Sequence, residues 1–267
     1  MTLLSVVVTL LGVAGVLLAT ATTLFVGWRR LAGRLRHAPS VLRDLLPHLV
    51  VLVLVLLVNR IARHRGQDIS WALGWNITDQ IHMLEGGVVA SIQSIAAPPL
   101  TAYFSFMYVY GYVFVTVFPF VAYFALEDTR PLKQTVLAYS LNYALGLVFY
   151  TLFISYGPRN LMPDQVQPLL YSSYPEVQLL TAMVNSNTNV FPSLHSSLSV
   201  TSALLAHRTA DEYPNWYRIA LVFAGSIVVS TMYLGIHWAT DVVAGACLAY
   251  VCVRVAGRYA DLRRLWT

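Results

Sequence analysis

Charge is scarce in this chain. Only 11% of its 267 residues are Asp, Glu, Lys or Arg, where a soluble domain carries about a quarter. Lysine is almost absent, with Lys133 standing against 16 arginines. That scarcity, beside 57% hydrophobic residues and a mean hydropathy of +0.63, excludes a soluble domain. It equally excludes a disordered chain, which needs low hydropathy and high net charge. Cysteine is sparse too: Cys247 and Cys252 lie five apart in one apolar run, with neither metal-ligand nor disulfide-framework spacing. The net charge of +5 reads as the basic loops that orient a membrane protein rather than as a nucleic-acid surface.

What the chain has is long apolar runs. A bilayer core of about 30 Å is crossed by roughly 20 apolar residues in a helix, because lipid cannot satisfy free backbone groups. The first run, Thr2 to Gly27, carries no charge and is followed by Arg29 and Arg30. It reads as a span with a stop-transfer flank, not as a cleavable signal peptide. Further runs cover about Leu45 to Val58, Leu100 to Leu126, Gln134 to Tyr156, Ser193 to Ala206, Ile219 to Ile236 and Val242 to Val255. The fifth of the seven is short and holds five serines. Between the second and third, Ile77, Ile81, Leu84, Val88, Ile92 and Ile95 recur at helical spacing, with Trp71 and Trp75 just ahead. This amphipathic helix either lies in the membrane interface or packs on the bundle. The expected fold is therefore all-α: a polytopic membrane helix bundle of about seven spans with one interfacial amphipathic helix. It divides into an N-terminal transmembrane pair (1–65), the interfacial segment (66–99) and a bundle that carries the chemistry (100–267).

Basic residues set the expected orientation. With the loop after the first span in the cytoplasm, that side holds Arg29, Arg30, Arg34, Arg36, Arg43, Arg130, Lys133, Arg208, Arg218, Arg254, Arg258, Arg263 and Arg264, or 13 of the 17 Lys and Arg. The other side keeps Arg60, Arg63, Arg65 and Arg159. The N-terminus is then outside and the C-terminus inside.

Three polar stretches fall on the non-cytoplasmic side in this topology. They are Gly157–Asn160, Phe191–Ser197 and Ser230–Asp241. His237 and Asp241 are four apart, so on a helix their side chains meet. The carboxylate then fixes one imidazole tautomer and leaves the other nitrogen free as nucleophile or base. Ser230 lies two turns earlier on about the same face. Pro192 and Ser193 suit a helix start, whose free N–H groups attract an anion within reach of His195. Arg159 is a natural bidentate partner for phosphate oxygens. Asn160, Ser230 and Tyr233 are candidate substrate contacts. Together these are the parts of metal-free phosphoryl transfer: an anion site, an oriented nucleophile and an acid for the leaving group.

These residues resemble the type 2 phosphatidic acid phosphatase superfamily, whose motifs are Lys-x6-Arg-Pro, Pro-Ser-Gly-His and Ser-Arg-x5-His-x3-Asp. Ser230, His237 and Asp241 match the third in spacing. Pro192, Ser193 and His195 match the second, with Leu194 in place of Gly. Arg159 matches the first, with Leu152 at its Lys and Asn160 at its Pro. The rival Arg130-Pro131 falls on the cytoplasmic side. The resemblance implies that His237 attacks phosphorus with Asp241 orienting it, that His195 protonates the leaving oxygen, and that Arg159 and Ser193 hold the phosphate. It implies no metal or other cofactor, a lipid-linked phosphate as substrate, and water or an alcohol as acceptor. Two cations of the family's phosphatases are missing, at Leu152 and Thr231. With Phe-Pro-Ser-Leu-His-Ser and Tyr-x3-His-x3-Asp, this is similar to the branch containing inositol phosphorylceramide synthases, and it favours a singly charged phosphodiester over a monoester. The alternatives are a lipid or polyprenyl phosphate monoester phosphatase, and a non-catalytic carrier or channel on the same fold.

Overall fold

A computed structural model describes residues 3–73, 75–174 and 188–260. Its helices are α1 (Leu3–Ala21), α2 (Trp28–Leu35), α3 (Ala38–Leu73), α4 (Thr78–Glu85), α5 (Val88–Gln93), α6 (Pro98–Phe106), α7 (Tyr112–Phe124), α8 (Arg130–Leu152), α9 (Pro158–Leu161), α10 (Leu169–Ser173), α11 (Leu194–Arg208), α12 (Pro214–Tyr233) and α13 (Ala239–Tyr259). A π-helical turn extends α1 through Thr22–Val26, and another, Met107–Gly111, joins α6 to α7 in one rod.

Among the described residues six helices are long and apolar enough to cross a bilayer: Leu4–Val26, Ala38–Ala62, Pro98–Phe124, Arg130–Leu152, Pro214–Tyr233 and Ala239–Tyr259. The second is not the short span expected from Leu45. Its helix starts at Ala38, because Asp44 is paired with Lys133 at 2.7 Å and so does not end it. The expected fifth span, Ser193 to Ala206, is absent from the six. In its place is α11, a helix of only 15 residues with Ser196, Ser197, Ser199, Thr201 and Ser202 buried.

The reason is where α11 lies. It packs against α8, α12 and α13, so its surface meets protein rather than lipid. Ser197 Oγ donates to Asn142 Oδ1, and Ser202 and Tyr139 share a 2.7 Å hydrogen bond. At one end Tyr150 donates to the Pro192 carbonyl at 3.1 Å. At the other, Arg208 donates to Gln134 at 3.3 Å. The helix therefore runs antiparallel to α8 along most of its length, sheltered from the bilayer. Hydroxyls that lower its hydropathy are satisfied inside the bundle.

The amphipathic segment also differs from a single stripe. Gly86, at φ 54°, ends α4, and α5 starts two residues later. Ile81 and Val89 are buried while Leu84, Val88 and Ile95, on the same sequence stripe, are exposed. The pair of short helices packs on the bundle through one set of residues and presents the rest outward.

The two ends of the bundle differ. At one end Arg30 pairs with Glu212 at 3.1 Å, Arg34 donates to the Glu127 carbonyl at 3.0 Å, and Lys133 meets Asp44. At the other, isolated parallel bridges join Asn76 to Ile154 and Ser155 to Asn189. Arg263, Arg264 and the side chains of Arg63 and Arg65 lie outside the described residues.

Candidate active site

The third polar stretch is not one helix. α12 stops at Tyr233, and Gly235 takes φ 71°, a conformation that suits glycine because it has no Cβ. The backbone then turns, and Ile236 and His237 both donate to the Thr231 carbonyl at 3.0 Å. His237 therefore precedes α13 instead of sharing a helical face with Ser230. Ser230 is fully buried and donates to the Ile227 carbonyl of its own helix at 2.7 Å. Tyr233 is also fully buried, its phenol 2.8 Å from Thr101 Oγ1.

His237 and Asp241 still meet, by another geometry. Trp238 caps α13, and Asp241 is the third residue of that helix. Its Oδ2 accepts from Trp238 N at 2.8 Å and lies 3.4 Å from His237 Nδ1. That approach lacks the direction of a hydrogen bond, and Asp241 Oδ1, also buried, has no partner among the described residues. Catalytic contacts are often long without substrate and tighten when it binds. With Nδ1 beside the carboxylate, Nε2 is the nitrogen available for chemistry.

The second stretch is tied to the same carboxylate residue. Ser193 N donates to the Asp241 carbonyl at 3.0 Å. Ser193 is the N-cap of α11, its Oγ accepting from Ser196 N at 3.3 Å. It is fully buried, so its hydroxyl serves the helix start. A Cβ on Gly245 of α13 would come within 2.5 Å of the Ser193 carbonyl, so glycine is what allows this junction to close. Leu194, at the family's Gly position, is accommodated by Gly146 on α8, where a Cβ would meet Leu194 Cδ2 at 2.8 Å. His195 is half-buried against two rings, Tyr108 at 4.4 Å and Tyr112 at 4.3 Å between centroids. It lies within electrostatic range of His237.

Arg159 sits on α9. Its N–H donates to the Gly235 carbonyl at 3.2 Å, which fastens it to the turn before His237. Its Nη2 donates to the Tyr171 phenol at 3.1 Å, and the guanidinium lies 4.6 Å over that ring. Nη1 is buried with no hydrogen-bond partner among the described residues. An unpaired buried guanidinium nitrogen is costly and is what an anion would relieve. Asn160 is exposed beside it. Leu152 faces outward at the end of α8, and Thr231 is fully buried, so neither missing cation is replaced from those positions. Arg130 and Lys133 begin α8, at the far end.

Two residues that sequence reasoning passed over hold this assembly. Glu85, at the end of α4, accepts from Ala239 N at 2.9 Å and from Thr240 N. These are the first two N–H groups of α13. A carboxylate in the last turn of its own helix opposes the helix dipole, and that was the available signal that something else holds it. Gln93 donates to the Tyr233 carbonyl at 2.8 Å and the Gln167 carbonyl at 2.9 Å, and accepts from Gln167 N at 2.8 Å. It buttresses the turn that carries His237.

The bundle and this cluster define a multi-pass membrane protein with two histidines, an aspartate and an arginine gathered at one end. A family model described as the PAP2 superfamily matches residues 82–255, and the chain belongs to that superfamily, the type 2 phosphatidic acid phosphatases. The match supports a lipid phosphatase-type enzyme and takes in Glu85, at the end of α4, and the His237 turn. Comparison with curated proteins and with solved structures gives no match.

Proposed function

We propose that this protein transfers a phospho-headgroup from a lipid phosphodiester to an alcohol of a second lipid, through a phosphohistidine on His237. The observation that carries this reading is that, among the described residues, Arg159 is the one guanidinium fastened to the turn that carries His237. From Gly66 to Val253 the only Lys and Arg are Arg130, Lys133, Arg159, Arg208 and Arg218. All but Arg159 lie at helix ends remote from the histidines. One arginine balances the single charge of a diester, whereas a monoester brings nearly two.

In this reading Arg159 Nη1 and the N-terminal end of α11 hold the non-bridging oxygens. His237 Nε2 attacks phosphorus as the bond to the diacylglycerol-type alcohol breaks, and His195 gives that oxygen its proton. The acceptor hydroxyl then attacks the phosphohistidine, passes its proton to His195, and the P–N bond breaks. Asp241 orients His237 and balances the imidazolium charge that develops. Clustering of basic residues at the opposite end of the bundle supports a site on the non-cytoplasmic side, with the N-terminus out and the C-terminus in. Hydrolysis of a lipid phosphate monoester is the second reading, and superfamily membership favours it. Purified protein offered a panel of lipid mono- and diesters, with both products weighed by mass spectrometry, separates the two. Headgroup exchange is expected. Fast release of inorganic phosphate from monoesters without exchange would overturn the transferase reading.

A further inference from the structure

His237 and His195 sit in unlike surroundings. One lies beside a carboxylate. The other lies against aromatic rings: Tyr108 stacks on it with 18° between planes, and Tyr112 is tilted at 40°. Both tyrosines come from the rod Pro98–Phe124, and the π-helical turn Met107–Gly111 falls between α6 and α7 at this point. The Tyr112 N–H closes that turn on the Met107 carbonyl, five residues back. A π-turn is wider than an α-turn, and such bulges are frequent at functional sites. Here Tyr108 within the turn and Tyr112 at its close both put a ring against one imidazole.

From this arrangement we infer that Tyr108 and Tyr112 are positioning residues for the leaving-group acid, holding protonated His195 by their ring faces while its N–H groups stay available to substrate. This rests on the proposed role of His195. Ring faces carry negative quadrupole density and attract a cation more than a neutral ring. A hydrogen-bond acceptor would orient the imidazole too, but it would compete for the proton that must be delivered and recovered. Stacking fixes the ring plane without that competition. Tyr108 also lies within electrostatic range of Arg159, so one side chain relates the acid to the phosphate site.

The test uses the full chain in lipid nanodiscs and two donors. One is a diacylglycerol phosphodiester, whose alkoxide leaving group needs a proton; the other is a p-nitrophenyl phosphodiester, whose leaving group does not. Tyr108→Leu and Tyr112→Leu should each lower kcat/KM for the donor, which reports the step that expels the leaving group, by about 10-fold or more on the alkyl donor and by less than about 3-fold on the aryl donor. Tyr108→Phe and Tyr112→Phe, which keep the ring face, should restore the alkyl rate to within about 3-fold of the parent. Equal losses on both donors, or Phe variants as poor as Leu, would overturn the inference. Should a Leu variant fail to fold, stepwise fluorination of Phe at position 108 weakens the ring face at nearly constant shape. The alkyl rate alone should then fall with each fluorine, and an unchanged alkyl rate would overturn the inference. His195→Ala run alongside separates two failures. Leaving-group sensitivity there but not in the tyrosine variants sinks the inference alone. No sensitivity in His195→Ala sinks the acid assignment and the inference with it.

Discussion

Asp241 serves two structures at once. One oxygen closes the start of α13 on Trp238 N and lies near His237 Nδ1, while its main-chain carbonyl holds Ser193 N. Asparagine at this position keeps an oxygen for the cap and loses the charge facing the imidazole. Asp241→Asn should therefore lower kcat by about 10²-fold or more, on the scale of losses when a histidine loses its orienting carboxylate, while the thermal midpoint stays within a few degrees. Steady-state kinetics beside a melting curve checks it; a full-rate Asn variant would make Asp241 a cap and nothing more. The four-residue spacing from His237 to Asp241 was legible in the sequence, yet for a reason that differs in detail. It pictures two side chains on one helical face, whereas the pair is a residue ahead of a helix start and the third residue inside it. Both geometries bring positions four apart together, so spacing alone cannot tell them apart. Ser230 exposes the difference, because the break at Gly235 removes it from that face.

Among the elements, α4 and α11 were the hardest to read. Hydropathy measures transfer from water to lipid, and α11 does not face lipid. Its serines and threonine are buried among α8, α12 and α13, so a scale blind to protein partners reports a poor span. In α4 the apolar period was real, but the consequential residue was the polar Glu85, whose partners lie 154 and 155 positions away. No local pattern encodes such a pairing. The cap has a measurable consequence. Glu85→Ala leaves two N–H groups at the start of α13 without their acceptor, which should cost about 1 kcal/mol of stability. It should also lower kcat, since Asp241 is carried by the same helical turn. Chemical unfolding in detergent and turnover of the diester donor should move together; loss of neither would mean that water replaces the carboxylate at no cost.

Across the whole molecule, the scarcity of charge proved to be a distribution. The described basic residues on α2 and at the starts of α8 and α12 gather at one end, the histidines at the other, and Arg159 alone accompanies them within 66–253. The all-α membrane bundle was legible from composition and run length, because lipid leaves the backbone few options. Convergence of three stretches was legible only as shared sidedness. What sidedness omits is the set of backbone bonds that join them: Arg159 N to the Gly235 carbonyl, and Ser193 N to the Asp241 carbonyl. Those bonds make one site from segments spread over some eighty residues of sequence. The most direct test of that site is to incubate the protein with a lipid diester labelled at phosphorus and in the headgroup, quench, and look for label on the protein. A phosphohistidine at His237 requires an acid-labile adduct carrying both labels, absent from His237→Ala and chased onto an added lipid alcohol. Full turnover with no adduct, or an adduct that survives His237→Ala, would contradict it.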